Sequence, residues 1–202
     1  MLKLEKIVKT KLLIVEGQDE KGFFTALIEH LSLDDIQVMP IGGKTQLRDS
    51  LEALSLAPNF NKVITLGITR DADDNPSGAF QSVSDAISNA NLRPPSKQLF
   101  IANGKPRTVI MILPKPGIAG MLEDVCLDSV ASTPEMDCIT EHLDCIKEKT
   151  GNLPDNLSKA KICTLLATKP KPGLRLGEAA QKGYWQWDNA AFEQIKQFLK
   201  LL

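Results

Sequence analysis

The sequence predicts an α/β protein: a mostly parallel sheet with one hairpin, flanked by helices, and a helical C-terminal part. Three observations predict it. Short runs rich in Val, Ile and Leu recur at residues 11–15, 36–41, 63–69 and 108–113, as expected of strands buried on both faces. Amphipathic segments separate the first three runs, the alternation of a sheet with right-handed crossovers. Beyond residue 121 helical spacing continues and no clear strand pattern returns.

Residues 11–15 form the first strand and residues 17–19 the turn after it. Residues 21–31 form a helix whose buried stripe is Phe23, Phe24, Leu27, Ile28 and Leu31. The second strand, 36–41, runs into Gly42-Gly43-Lys44. A helix over 45–56 then turns Leu47, Leu51 and Leu54 inward. The third strand is 63–69, followed by a loop and a helix over 79–90. Residues 98–102 and 108–113 flank Asn103-Gly104-Lys105-Pro106, and Asn-Gly between apolar runs signals a hairpin. Helices are expected over 121–130, 134–149, 157–167 and 189–201, the last with Asp188 as its N-cap. Residues 1–130 make the α/β domain and 131–202 a helical extension packed on it, or the two form a single domain.

The bulk numbers exclude some classes of function. The chain has 202 residues, 43% of them hydrophobic, so a sizeable core can form. A net charge of -1 is not that of a protein held to nucleic acid by its own bulk charge. Cys126, Cys138, Cys145 and Cys163 form no Cys-x-x-Cys pair, which argues against structural zinc. With no signal peptide in view, reduced and buried thiols in a cytoplasmic protein are expected. No apolar run approaches the ~20 residues of a membrane span.

Two acidic motifs close buried strands. The first strand ends in Val15-Glu16-Gly17, with Glu20 one helical turn on. The third ends in Thr69-Arg70-Asp71-Ala72-Asp73-Asp74. Asp71 and Asp73 alternate, so an extended backbone points both side chains the same way. A further pair, Glu123-Asp124, follows the last strand. Ligands of open α/β sheets bind beyond the carboxyl ends of the strands, where such carboxylates can hold a hard divalent cation. Gly42, Gly43 and Lys44 offer a small anion cradle of backbone amides and one ammonium, although read alone the segment is an ordinary strand-to-helix turn. Lys159 or Lys161 can neutralise charge on a phosphate oxygen. Lys169, Lys171 and Arg175 make a small basic patch. Tyr184-Trp185-Gln186-Trp187 leads into the last helix, and packing on the core is its expected role.

The Glu-Gly turn after the first strand and the later Asp-x-Asp resemble the TOPRIM domain of topoisomerases, bacterial primases and OLD-family nucleases. Glu20, Gly42-Gly43-Lys44, Glu123-Asp124 and a Lys at 159 or 161 make the chain look most like the OLD-type branch. It is also similar to small stand-alone TOPRIM-like proteins in Ile112-Leu113-Pro114, Gly120-Met121-Leu122 and Gly183-Tyr184-Trp185. The resemblance covers about residues 8 to 125 and implies a TOPRIM-like Rossmannoid sheet. It implies Mg2+, or Mn2+, held by Glu16, Asp71 and Asp73, with Glu20 and Glu123 completing a second position. Thr69 stands where the family carries a small hydroxyl residue. Glu16 and Lys159 or Lys161 would be catalytic, and DNA or RNA the partner. The chain lacks a P-loop, so any ATPase would be a separate protein.

The activity implied is metal-dependent phosphoryl transfer on nucleic acid, a nuclease above all. The rival is a non-catalytic TOPRIM-like module that binds nucleic acid or a protein partner. Receiver-like and phosphatase folds place their acidic motif on the first strand, where this chain has Glu-Gly.

Overall fold

The computed structural model describes residues 5–202. Four strands, β1 (Lys11–Val15), β2 (Ile36–Pro40), β3 (Thr65–Asp71) and β4 (Arg107–Leu113), form one sheet in the order β2-β1-β3-β4, all parallel. Alternation along each strand divides the side chains between two cores. Leu12, Ile14, Leu66, Ile68, Ile110 and Ile112 meet α2 (Leu47–Ser55) and α3 (Pro76–Asn89) on one face. Leu13, Val15, Val109, Met111 and Leu113 meet α1 (Gln18–His30), α4 (Leu122–Val130) and the later helices on the other.

This winding fixes where a ligand goes. The chain leaves β1 toward β2 through α1 on one face, and leaves β3 toward β4 on the other side through α3 on the opposite face. The connections therefore diverge beyond the carboxyl ends of β1 and β3, which is the topological switch point of the sheet. Glu16 follows β1, and Asp71 ends β3.

The remaining helices are α5 (Pro134–Thr150), α6 (Leu157–Ala167), α7 (Leu176–Gln181) and α8 (Glu193–Leu201). Their apolar faces join the core on the α1 side of the sheet. Phe198 and Leu202 press on β3 at Gly67, where a Cβ would stand 2.5 Å from the Leu202 side chain. Trp185 and Trp187 are buried, and Trp187 packs edge-on against Phe23 and Phe192, so packing is the structural role of the aromatic cluster. No helix among the described residues is long and apolar enough to cross a membrane.

Some expectations need correction. The predicted hairpin reduces to a single antiparallel bridge between Ala102 and Thr108; residues 98–101 add no strand. Helix α7 was not predicted, because six residues carrying a glycine leave no periodic stripe. It packs closely on α1 through Gly22 and Gly177, and a Cβ on Gly177 would lie 2.3 Å from the Asp19 carbonyl oxygen. All four cysteines are free thiols, but only Cys126 is buried. The chain puts Cys138, Cys145 and Cys163 on outward faces of helices instead.

Candidate functional site

Glu16 stands directly beyond β1, held from two sides. Its backbone carbonyl accepts the N–H groups of Gly42 and Gly43 at 3.0 and 2.9 Å. Its carboxylate accepts the Asp71 N–H at 3.3 Å. Positive φ angles of 83° and 113° at Gly42 and Gly43 aim both amides at one carbonyl, a backbone that glycine adopts freely. The anticipated phosphate cradle is thereby revised: these amides serve the β1 terminus, and the Lys44 ammonium pairs with Asp73.

Asp71 is the centre of the constellation. Its Oδ1 accepts the Leu122 N–H at 3.0 Å, at the start of α4. Burial, followed by the negative charges of Glu16, Glu123 and Glu20, raises its pKa from 3.8 to about 8. Glu16 is raised as well, by burial first and in smaller part by Glu20 and Asp73, against the lowering effect of the Asp71 N–H and Arg70. Burial also raises Glu123, with Glu20 and Asp124 adding repulsion. Glu20 fastens the turn by accepting the Gly17 N–H at 2.9 Å. Four carboxylates from three segments therefore share one electrostatic neighbourhood at the switch point.

Asp73 does not align with Asp71. Its φ of 49° is left-handed, and it exchanges two backbone hydrogen bonds with Gly120, at 2.9 and 2.7 Å. The extended alternation breaks there, and Asp73 instead forms a 2.5 Å ion pair with Lys44. Thr69 is buried, its hydroxyl 3.5 Å from the Ile14 carbonyl. Lys159 stands 4.0 Å from Glu123 and lines one cavity with Glu20 and Glu123. Lys161 faces a separate cleft with Asp124 and Asp128. Asp124 is a structural group: it accepts the Met121 N–H at 2.7 Å and the Ser158 hydroxyl at 2.5 Å.

Arg70 was missed in the sequence. Its Nε lies 4.0 Å from the Glu16 carboxylate, and Nε and Nη1 are buried without a hydrogen-bond partner. The available signal was an arginine near the end of an otherwise apolar strand, since charge at such a position is rarely buried without a counterion.

The donor chemistry suits a hard divalent cation. Every candidate ligand is a carboxylate oxygen, and the raised proton affinity of Asp71 reflects its burial first and then the neighbouring negative charge of Glu16, Glu123 and Glu20. Among the described residues, no three carboxylate, imidazole or thiol groups stand together as a finished cage.

The family described as "Protein of unknown function (DUF3226)" matches residues 10–202. No curated protein matches the chain. Among solved structures, the C-terminal region of the Burkholderia pseudomallei OLD protein is 13% identical, over 96% of this chain and 97% of that one, with a TM-score of 0.51. The C-terminal region of the Xanthomonas campestris pv. campestris OLD protein is also 13% identical, over 96% and 94% of the two chains, with a TM-score of 0.43. The Burkholderia likeness is one of fold.

Proposed function

The chain belongs to the DUF3226 family, and we propose that it is a TOPRIM-type, metal-dependent phosphoryl-transfer protein acting on DNA or RNA, a nuclease. One observation carries the reading: Asp71 is crowded by Glu16, Glu123 and Glu20 at the switch point of the sheet. The Glu-Gly and Asp-x-Asp motifs, and a fold shared with the C-terminal region of an OLD protein, support it.

Glu16 and Asp71 would hold Mg2+ or Mn2+, with Glu20 and Glu123 on the α1–α4 side and Asp73 on the Lys44 side. A divalent ion there supplies Lewis-acid polarisation of a phosphoryl oxygen and a more acidic water. The chain's own residues do the rest. Glu16, fixed beyond β1 with its carboxylate accepting the Asp71 N–H, is placed to take a proton from an attacking water. Arg70 holds the Glu16 carboxylate toward the crevice. Lys159, beside Glu123, offsets charge gathering on the phosphate. With a net charge of -1, affinity for nucleic acid rests on these local contacts or on a partner such as a separate ATPase.

The test is cleavage of DNA and RNA by the purified chain in Mg2+ or Mn2+. Glu16→Gln and Asp71→Asn are expected to abolish it, and unchanged activity in both overturns the proposal. A non-catalytic binding module is the second reading, favoured by the absence of a finished three-group cage among the described residues. Binding without cleavage under either ion would decide for it.

A further inference from the structure

The crevice is flanked by two cavities of different chemistry. On the Lys44 side, a groove of about 660 Å3 between α2 and α3 presents Lys44, Arg48, Gln81 and Ser82. On the Lys159 side, a cavity of about 680 Å3 lies between the first turn of α1, the face of α6 and the chain entering α7. Its inner end carries Glu20 and Glu123. Its walls are aliphatic, from Ile162, Leu166, Leu174 and Leu176, and Arg175 stands at its rim.

We propose that this second cavity receives the terminal nucleoside of a single nucleic-acid strand, while the polar groove on the Lys44 side carries the rest of the strand away. The proposal rests on the phosphoryl-transfer reading, which puts a phosphate at the carboxylates. Whatever is bonded to that phosphate must then occupy the adjoining space. A nucleoside matches what is there: flat apolar faces for the aliphatic walls, and polar edges for Glu20 and Lys159 near the phosphate. Arg175 adds a planar guanidinium, a group on which bases stack. Gly173, Leu174 and Arg175, at the end of the segment over residues 168–175, line the far side. That segment contains Pro170 and Pro172, which stiffen it, and Lys169 ties it to Glu135 at 3.6 Å. A base within a duplex reaches such a cavity only after extrusion, at a cost of a few kcal/mol, whereas an unpaired end enters without that cost.

The experiment uses the full chain in Ca2+, titrated calorimetrically with deoxyadenosine 5′-monophosphate and with deoxyribose 5-phosphate, which lacks the base. The nucleotide is expected to bind at least tenfold more tightly. Cys163 is exposed and lines the cavity, so Cys163→Trp fills the space from a surface position and is expected to erase that difference. Arg175→Ala, also at an exposed residue, is expected to reduce it severalfold, and thermal unfolding confirms that both variants fold. Equal affinity of the two probes for the unaltered chain, or a difference that survives Cys163→Trp, overturns the proposal. Nucleotide binding by a chain that cleaves nothing leaves the cavity assignment standing and removes the nuclease. Cleavage with no base-dependent binding does the reverse.

Discussion

Replacing Asp71 by Asn removes one negative charge and keeps the shape of the side chain, including an oxygen that accepts the Leu122 N–H. The folded-state pKa of Asp71 is about 8 against an ordinary 3.8. Below pH ~4 the carboxyl is protonated in both folded and unfolded chains, and the group makes no difference to stability. As pH rises toward 8 the unfolded chain has lost a proton that the folded chain keeps, so stability falls by about 1.4 kcal/mol per pH unit. The loss reaches about 4 kcal/mol at pH 7 and levels off near 6 kcal/mol above pH 8. Asn carries no such penalty. In chelator, Asp71→Asn is therefore expected to be more stable than the parent by about 2 to 4 kcal/mol at pH 7 and equal to it near pH 4. For a chain of this size that is a rise in Tm of roughly 4 to 16 °C. Mg2+ is expected to narrow the gap, because an ion held at a hundred times its Kd stabilises the parent by about 2.7 kcal/mol. The assay is urea or thermal unfolding of both proteins from pH 4 to 9, with and without Mg2+. A variant no more stable than the parent at pH 8, or a difference that does not change with pH, refutes the crowded-carboxylate argument.

Two further variants separate neighbouring explanations. Lys159→Ala is expected to slow cleavage about 10- to 100-fold, below the effect of a water-excluded donor because its side chain is 60% exposed, while Lys161→Ala leaves the rate within about twofold; steady-state rates on one substrate distinguish the two, and the opposite ranking removes Lys159 from the site. Gly177→Ala drives a Cβ to 2.3 Å from the Asp19 carbonyl oxygen, and an overpacking cost of about 1–3 kcal/mol is expected to lower the urea midpoint. An unchanged midpoint shows that α1 and α7 separate freely.

What the sequence made legible is the course of the backbone. Runs such as Leu12-Leu13-Ile14-Val15 have only one favourable fate, a strand covered on both faces, and that fate places Glu16 and Asp71 at the edge where the chain changes direction. The close packing of α1 on α7 was not legible, because it depends on two hydrogen-sized side chains, Gly22 and Gly177, meeting across 155 positions of chain. Neither was the use made of each polar atom. The spacing of Gly42 and Gly43 allows either a phosphate cradle or an ordinary strand-to-helix turn, and the fold commits both amides to Glu16. Asp73 was read as the twin of Asp71, yet its left-handed backbone gives it to Lys44. Arg70, between Thr69 and Asp71, carries no motif of its own, yet its unpartnered nitrogens lie beside Glu16. Each difference has one origin: spacing says which groups reach an edge, whereas the hydrogen bonds made across the fold say which lone pairs and charges remain available there. At this edge the charge of Asp71 is the one least answered by the protein itself. For that reason its pH-dependent stability tests the site without presupposing any substrate.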